Sequence, residues 1–403
     1  MKEMGMRMNT KVGAVKDAKK GQPPWWLSIP ETFSKDLHVT DIDVNHKLKV
    51  KGSAAVDGVL RIGLASAVLA AMTPNLLISS RMKKDLHHLE FYGDFVDRGD
   101  PEAVFAKPQT NVKIKRERVP YSRYLPKDAI VELLSTESTY QTLNPEIRAE
   151  YAKLHHNIPA VAQHWRHADG PRPTLIFTHG FFADAPWFNS MMFSLRWFFK
   201  QGYDILLHTL PFHGLRRRKA DFYSGLGFFS HGYAFMNEAF LQGVYDLRVW
   251  MDYLEEQGVT AMGASGYSLG GYTTALVASA DKRLKFAIPN APAVLLIDMI
   301  KGWSPINLGM AYMMKKNGLS LTDLRYMTAI HCSLTWQPVI SADRLMVIGG
   351  AGDRFTSPQF VNALHQHWVG SEMHWFPGNH LMHLHQPSYL RIMKKFMDKA
   401  CAV

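Results

Sequence analysis

Gly266-Tyr267-Ser268-Leu269-Gly270-Gly271 decides how the rest of the chain is read. A run that reads as a strand, Thr260–Ser265, leads into it, and a helical pattern, Leu269–Ser279, leads out. Glycines on both sides of a serine let a strand turn sharply into a helix, because no Cβ blocks the close approach of the two elements. Such a turn lifts the serine hydroxyl above the sheet. It also aims the free N–H groups of the helix N-terminus at whatever that hydroxyl meets. Spacing alone would fit a structural glycine turn; the strand before it and the helix after it favour a catalytic one.

From about residue 121 onward the alternation repeats. Short apolar runs at Ala160–Trp165, Thr174–Thr178, Asp204–Leu207, Phe286–Pro289, Leu345–Ile348 and Met373–Phe376 read as strands. Helical patterns at Ser190–Lys200, Tyr233–Gln257, Val361–Val369 and Tyr389–Lys399 lie between and after them. That order predicts an α/β fold with a mostly parallel central sheet flanked by helices. No strand is read between Pro289 and Leu345. This helical insert, about residues 292–343, is rich in Met and aromatic side chains such as Met299, Trp303, Met310, Met313 and Trp336.

The constellation resembles the α/β-hydrolase superfamily, serine esterase and lipase-like, over about residues 121–403. In that fold the nucleophile, acid and base follow one another in the order serine, acid, histidine. The resemblance places the nucleophile at Ser268, the acid at Asp353 in Gly352-Asp353-Arg354, and the base at His380 in Pro377-Gly378-Asn379-His380. Asp343, which precedes its strand, and His383, three residues past His380, are the competitors. The resemblance implies hydrolysis of a carboxylic ester or thioester of an apolar acyl substrate through an acyl-enzyme. Backbone N–H groups of Leu269 and Phe181 would form the oxyanion hole, with Phe182 as the second choice for the latter. Phe182, Tyr267 and His179 would stand beside the substrate, His179 more as a prop for its loop than as a reacting group. The helical insert would be the lid. Peptidase, amidase and acyl-transfer chemistry use the same triad, and a non-catalytic membrane-associated scaffold on this fold is the rival of another class.

Composition narrows the partners. The 403 residues include 46 Lys plus Arg against 35 Asp plus Glu, a net +11, with 47% apolar side chains, so a disordered chain is excluded. The charge is spread along the chain and no nucleic-acid module is present, so the excess predicts mild attraction to anionic surfaces and no nucleic-acid partner. Cys332 and Cys401 cannot build a disulfide framework. The C-terminal histidines lack accompanying carboxylates, and no P-loop or Gly-x-Gly-x-x-Gly follows a first strand. No metal and no cofactor are expected. A small-molecule or lipid-like acyl substrate is.

Residues 1–120 read as an N-terminal extension. The basic stretch from Lys2 to Lys20 is followed by no close apolar run, so it is not read as a secretory signal. Trp25-Trp26 would sit at a membrane interface or pack on the domain. Ile62–Ser80 is uncharged and just long enough to span a bilayer, but its polar side chains dilute it and Pro74 breaks it, so a helix near 59–72, packed on the domain or lying in a membrane interface, is expected there over a spanning one. These features predict a cytoplasmic protein with a peripheral membrane contact left open. The loop Leu210–Lys219 carries four consecutive cations, Arg216-Arg217-Arg218-Lys219, read either as an anion contact or as a solvated turn.

Overall fold

A computed structural model of the protein describes residues 23–33, 42, 47–110 and 112–402. The strands are β1 (Lys115–Arg118), β2 (Ile130–Glu137), β3 (Pro159–Arg166), β4 (Thr174–Thr178), β5 (Asp204–Thr209), β6 (Met262–Tyr267), β7 (Leu284–Asn290), β8 (Met346–Gly350) and β9 (Glu372–Phe376). They form one sheet in the order β1-β2-β3-β5-β4-β6-β7-β8-β9. The β1–β2, β2–β3 and β3–β5 pairs are antiparallel. The pairs from β5 through β4 to β9 are parallel. Central β4 and β6 are buried on both faces, as parallel strands covered by helices must be.

Each face of the sheet has its own core. On one, Ile176, Leu206 and Ala264 pack against helices Tyr233–Glu256 and Leu269–Ala280. On the other, Leu175, Phe177 and Ile205 pack against Phe198 and Phe199 of helix Leu195–Lys200 and Met393 and Phe396 of helix Gln386–Cys401. The expected helix Ser190–Lys200 is two helices, Pro186–Met192 and Leu195–Lys200, separated where Ser194 takes φ 52°. The insert between β7 and β8 forms helices Leu296–Lys301, Ile306–Asn317 and Leu321–Met327. Most of its Met and aromatic side chains, including Met310, Met313 and Trp336, are buried in the core.

The N-terminal part departs most from its sequence reading. The sheet begins before residue 121, because β1 is an edge strand of four charged, exposed residues that carries no apolar period. The expected helix near 59–72 runs from Lys47 to Leu77. Pro74 does not break it. It sits in the last turn, with little helix beyond it to disrupt, and the Thr73 hydroxyl donates to Leu69 O at 2.7 Å. Ala65, Val68, Met72 and Leu76 enter the same core as the sheet.

Buried carboxylates then lock the following helix, Ser79–Arg98, to helix Tyr233–Glu256. Asp85 accepts the N–H groups of Tyr233 and Ala234 at 2.7 and 3.0 Å, capping the latter helix. Burial lifts the Asp85 carboxyl to about 6 in spite of those bonds. Glu238 accepts from Tyr92 Oη, Tyr140 Oη, Leu143 N and Asn144 N.

Trp25 and Trp26 pack on the domain. Trp25 Nε1 donates to Thr335 Oγ1 at 3.0 Å, and Trp26 is buried against Tyr326. The basic stretch Lys2–Lys20 lies outside the described residues. In the Arg216–Lys219 run, Arg216 is not a solvated turn residue, and the anion it meets belongs to the protein itself. Arg216 is fully buried, pairs with Asp246 at 2.8 Å and donates to Asn157 O and Thr209 O.

Candidate active site

Ser268 stands between β6 and helix Leu269–Ala280 with φ 55° and ψ −111°. A non-glycine residue held there costs about 1–3 kcal/mol, so the surroundings must enforce it. They do so through Ser268 N, which donates to Asn290 O at 3.0 Å, and Ser268 O, which accepts from Tyr272 N at 2.9 Å. The flanking glycines permit the turn. A Cβ at Gly266 would lie 2.4 Å from Gly270 O, and one at Gly270 would lie 2.0 Å from Thr178 O.

His380 and Asp353 meet behind the serine. His380 Nδ1 lies 2.6 Å from Asp353 Oδ2. Asp353 is buried and fully engaged: Oδ1 accepts the N–H groups of Phe355 and Thr356, each at 2.8 Å, and Oδ2 also accepts Thr356 Oγ1 at 2.8 Å. Burial pushes its carboxyl upward, but the His380 charge and the His380 and Thr356 hydrogen bonds outweigh it and leave it below the ordinary value. An ionised carboxylate at Nδ1 fixes the imidazole with its proton on that nitrogen and leaves Nε2 as the basic one. The rings of Phe355 and Tyr267 face the imidazole with centroids 4.9 and 4.8 Å away.

Neither competitor joins them. His383 Nδ1 bonds Tyr389 Oη at 2.8 Å, and burial lowers its pKa to about 4, so it is a neutral core histidine. Asp343 lies exposed on the turn Ala342–Arg344.

Ser268 and His380 open into one cavity of about 570 Å³. The insert supplies Leu296, Met299, Ile300 and Trp303 to its wall, and the segment after β4 supplies Phe181, Phe182, Trp187 and Phe188. Leu269, at the first position of its helix, and Tyr267 also border it. The turn Gly180–Ala183 is closed by Ala183 N donating to Gly180 O at 3.0 Å, with Phe182 at φ 65°. His179 is not in this wall, contrary to expectation. It stands behind it, with Nε2 accepting Leu210 N–H at 3.1 Å and Nδ1 donating to Gly180 O at 2.8 Å. Burial keeps it neutral, in the role of a prop.

Two contributions escape the sequence reading. Leu60, Leu64 and Val68 of the N-terminal helix form a third wall, and Asp57 of the same helix accepts the backbone N–H of His380. No local signal marks Asp57, since its partners lie about three hundred residues away. A larger cleft of about 1010 Å³, lined by Phe105, Arg248, Asp281 and Arg283, pairs its two arginines with Asp281 and Asp252 and holds neither Ser268 nor His380. Among the described residues, no group of three or more His, Cys, Asp or Glu could hold a metal ion.

Residues 229–402, a span containing Ser268, Asp353 and His380, match the model of the prolyl oligopeptidase family. The structure is similar to acetyl xylan esterase 1 from Thermoanaerobacterium sp., with TM-score 0.52, 12% identity, and coverage of 77% of this chain and 93% of that one. It is likewise similar to an acetyl xylan esterase from Paenibacillus sp. R4, with TM-score 0.50, 14% identity, and coverage of 76% and 94%. The chain has the α/β-hydrolase fold. The chain is also 27% identical over 314 residues to an uncharacterized protein of Mycobacterium tuberculosis, covering 72% of this chain and 68% of that one. In this α/β-hydrolase fold the strand ends that carry Ser268 and Asp353 lie at the carboxyl edge of the parallel sheet, where such folds place their ligands.

Proposed function

We propose that this protein cleaves carboxylic esters or thioesters of apolar acyl groups through an acyl-enzyme. The observation that carries the proposal is the cavity that Ser268 and His380 share, with buried Asp353 bonded to His380 behind it. A serine hydroxyl is a weak nucleophile and needs an adjacent base. His380 Nε2 takes its proton as Oγ attacks the carbonyl carbon, and Asp353 stabilises the imidazolium that forms. The carbonyl oxygen, now an oxyanion, is held by the N–H groups of Leu269 and Phe181. His380 then returns the proton to the departing alcohol or thiol, and the same residues activate water to release the acid.

The lining favours an apolar acyl group. Among the described residues that line the cavity, His380 and Tyr267 are the only ionisable side chains. A peptide bears polar amides and charged ends that such walls would leave unpaired. The family-model match keeps amide cleavage as the second reading, so the substrate panel includes amides.

The test is covalent labelling by a fluorophosphonate probe. Wild-type protein is expected to label and to turn over p-nitrophenyl esters. Ser268→Ala is expected to lose labelling entirely and turnover by at least about 10³-fold. An unlabelled wild-type protein, with lipid vesicles or detergent present, would leave a non-catalytic scaffold instead.

The cavity mouth extends the proposal to a peripheral membrane contact. Leu60, Phe182, Trp187 and Leu381 line the cavity yet are 43%, 40%, 49% and 37% exposed. Val59 and Ile62 lie exposed beside Leu60 on a helix that is long and apolar enough to cross a bilayer, though its other face is built into the core. Lying in the interface with that apolar edge buried fits this arrangement better than spanning. The pair Val59→Asp and Ile62→Asp is expected to weaken partition onto phosphatidylglycerol vesicles roughly tenfold or more. Hydrolysis of a short soluble ester should not change. Equal sedimentation of wild type and variant with vesicles would remove the membrane contact.

A further inference from the structure

Behind the His380–Asp353 pair stands a second carboxylate, from the other end of the chain. Asp57 is wholly buried. Its Oδ2 accepts the N–H of His380 at 2.8 Å and the N–H of Arg354 at 3.1 Å. One oxygen thus ties together the loop that carries the base and the loop that carries the acid. The contact continues along one stripe of helix Lys47–Leu77, at positions 50, 53, 57 and 61. Val50 occupies the space that a side chain at Gly352 would need, Ser53 O accepts from Asn379 Nδ2, and Arg61 Nη1 donates to Arg354 O at 2.9 Å.

A clamp made only of hydrogen bonds would not need a charge, because asparagine offers the same acceptor. Here the charge stays in a costly place. Among the described residues Asp57 Oδ1 has no hydrogen-bond partner, and burial together with Asp353 lifts the carboxyl to about 6. The groups facing it are Asp353, His380 and Tyr267 from the strand ends, Arg354 beside them and Arg61 on its own helix. Among these, His380 is the group whose charge changes when a proton leaves Ser268.

We propose that Asp57 is a positioning residue for His380: it fixes the main chain of His380 and Arg354, so setting the imidazole against Asp353, and its negative charge supports the imidazolium. The proposal rests on the serine-hydrolase reading above.

Asp57→Ala and Asp57→Asn test it, with p-nitrophenyl butyrate as substrate. Asp57→Ala removes bonds and charge, and is expected to lower kcat about 30- to 100-fold with KM within about twofold. Amide exchange across residues 379–382 should quicken by about tenfold or more. Asp57→Asn keeps both bonds and slow exchange, but the neutral side chain favours the imidazolium less. The acidic limb of its kcat/KM profile is therefore expected about half a pH unit or more below that of wild type. An unchanged kcat in folded Asp57→Ala, or an Asp57→Asn limb at the wild-type pH, overturns the proposal. If Asp57→Ala does not fold, the Asp57→Asn limb decides. If wild-type protein hydrolyses no ester, the hydrolase reading has failed, and the His380 imidazole pKa, followed by NMR in wild type and Asp57→Asn, decides separately. A drop supports the positioning role, and an unchanged value overturns it.

Discussion

Asp353→Asn is expected to lower kcat by about 10³- to 10⁴-fold while leaving the protein folded. The size follows from how the carboxylate is held. Its Oδ1 faces two backbone N–H groups, from Phe355 and Thr356, and can only be an acceptor there. An asparagine must therefore place its oxygen on that side and its NH₂ toward His380 and Thr356. The imidazole would then accept at Nδ1 and carry its proton on Nε2, the nitrogen that should take the serine proton. Packing is nearly unchanged, so circular dichroism should keep its native shape, while the melting temperature at neutral pH should fall, because the variant lacks the stability that the ionised carboxylate contributes there. The gap between wild type and variant should close in acid. The folded carboxyl titrates below its ordinary value, so wild-type Asp353 contributes stability above the unfolded pKa and loses it as pH falls through the folded one. The asparagine variant should lack that part of the acid transition. A variant with near-normal kcat would remove Asp353 from the site.

Gly270→Ala is expected to destabilise the protein by about 3 kcal/mol or more, or to prevent soluble expression. The added methyl would lie 2.0 Å from Thr178 O and 2.5 Å from His179 O. Both are main-chain atoms at the end of β4, where no rotamer change gives relief. If the chain folds at all, β4 and helix Leu269–Ala280 must move apart, and the Phe181 turn moves with them. Labelling of Ser268 should fall even in the folded fraction. Gly52→Ala is the control. Nothing lies within 4 Å of its added Cβ on the exposed side of helix Lys47–Leu77. Helix propensity there predicts a neutral change or a gain of up to about 1 kcal/mol. Denaturant midpoints of the two variants measure the contrast.

What the sequence reveals of this molecule depends on how local the cause is. The elbow is legible because its geometry is confined to six residues: the same glycines that admit the turn frame Ser268. Asp353 and His380 are legible because each follows a strand whose apolar run marks it. β1 is not, since an edge strand of Lys-Arg-Glu-Arg has no apolar face to declare it. Arg216 looks like one of four surface cations, and only the fold brings Asp246 and Asn157 O to it. The N-terminal helix is misjudged for a related reason. Its two apolar faces, one in the core and one exposed, look alike in sequence, and Asp57 gains its meaning only from loops that arrive at the end of the chain.

That separation has a consequence during synthesis. Asp57 precedes His380 by 323 residues, an interval of roughly 16–65 s at ordinary translation rates. Throughout it the helix has been made but has no catalytic loops to hold. Its core-facing stripe, with Ala65, Val68 and Met72, also waits for parts of the domain not yet translated. A nascent chain can build the elbow and still lack the loops of Asp353 and His380. Helix Lys47–Leu77 keeps apolar surface uncovered until helices Leu226–Ser230 and Ile306–Asn317 arrive, the state in which a growing polypeptide most needs a chaperone.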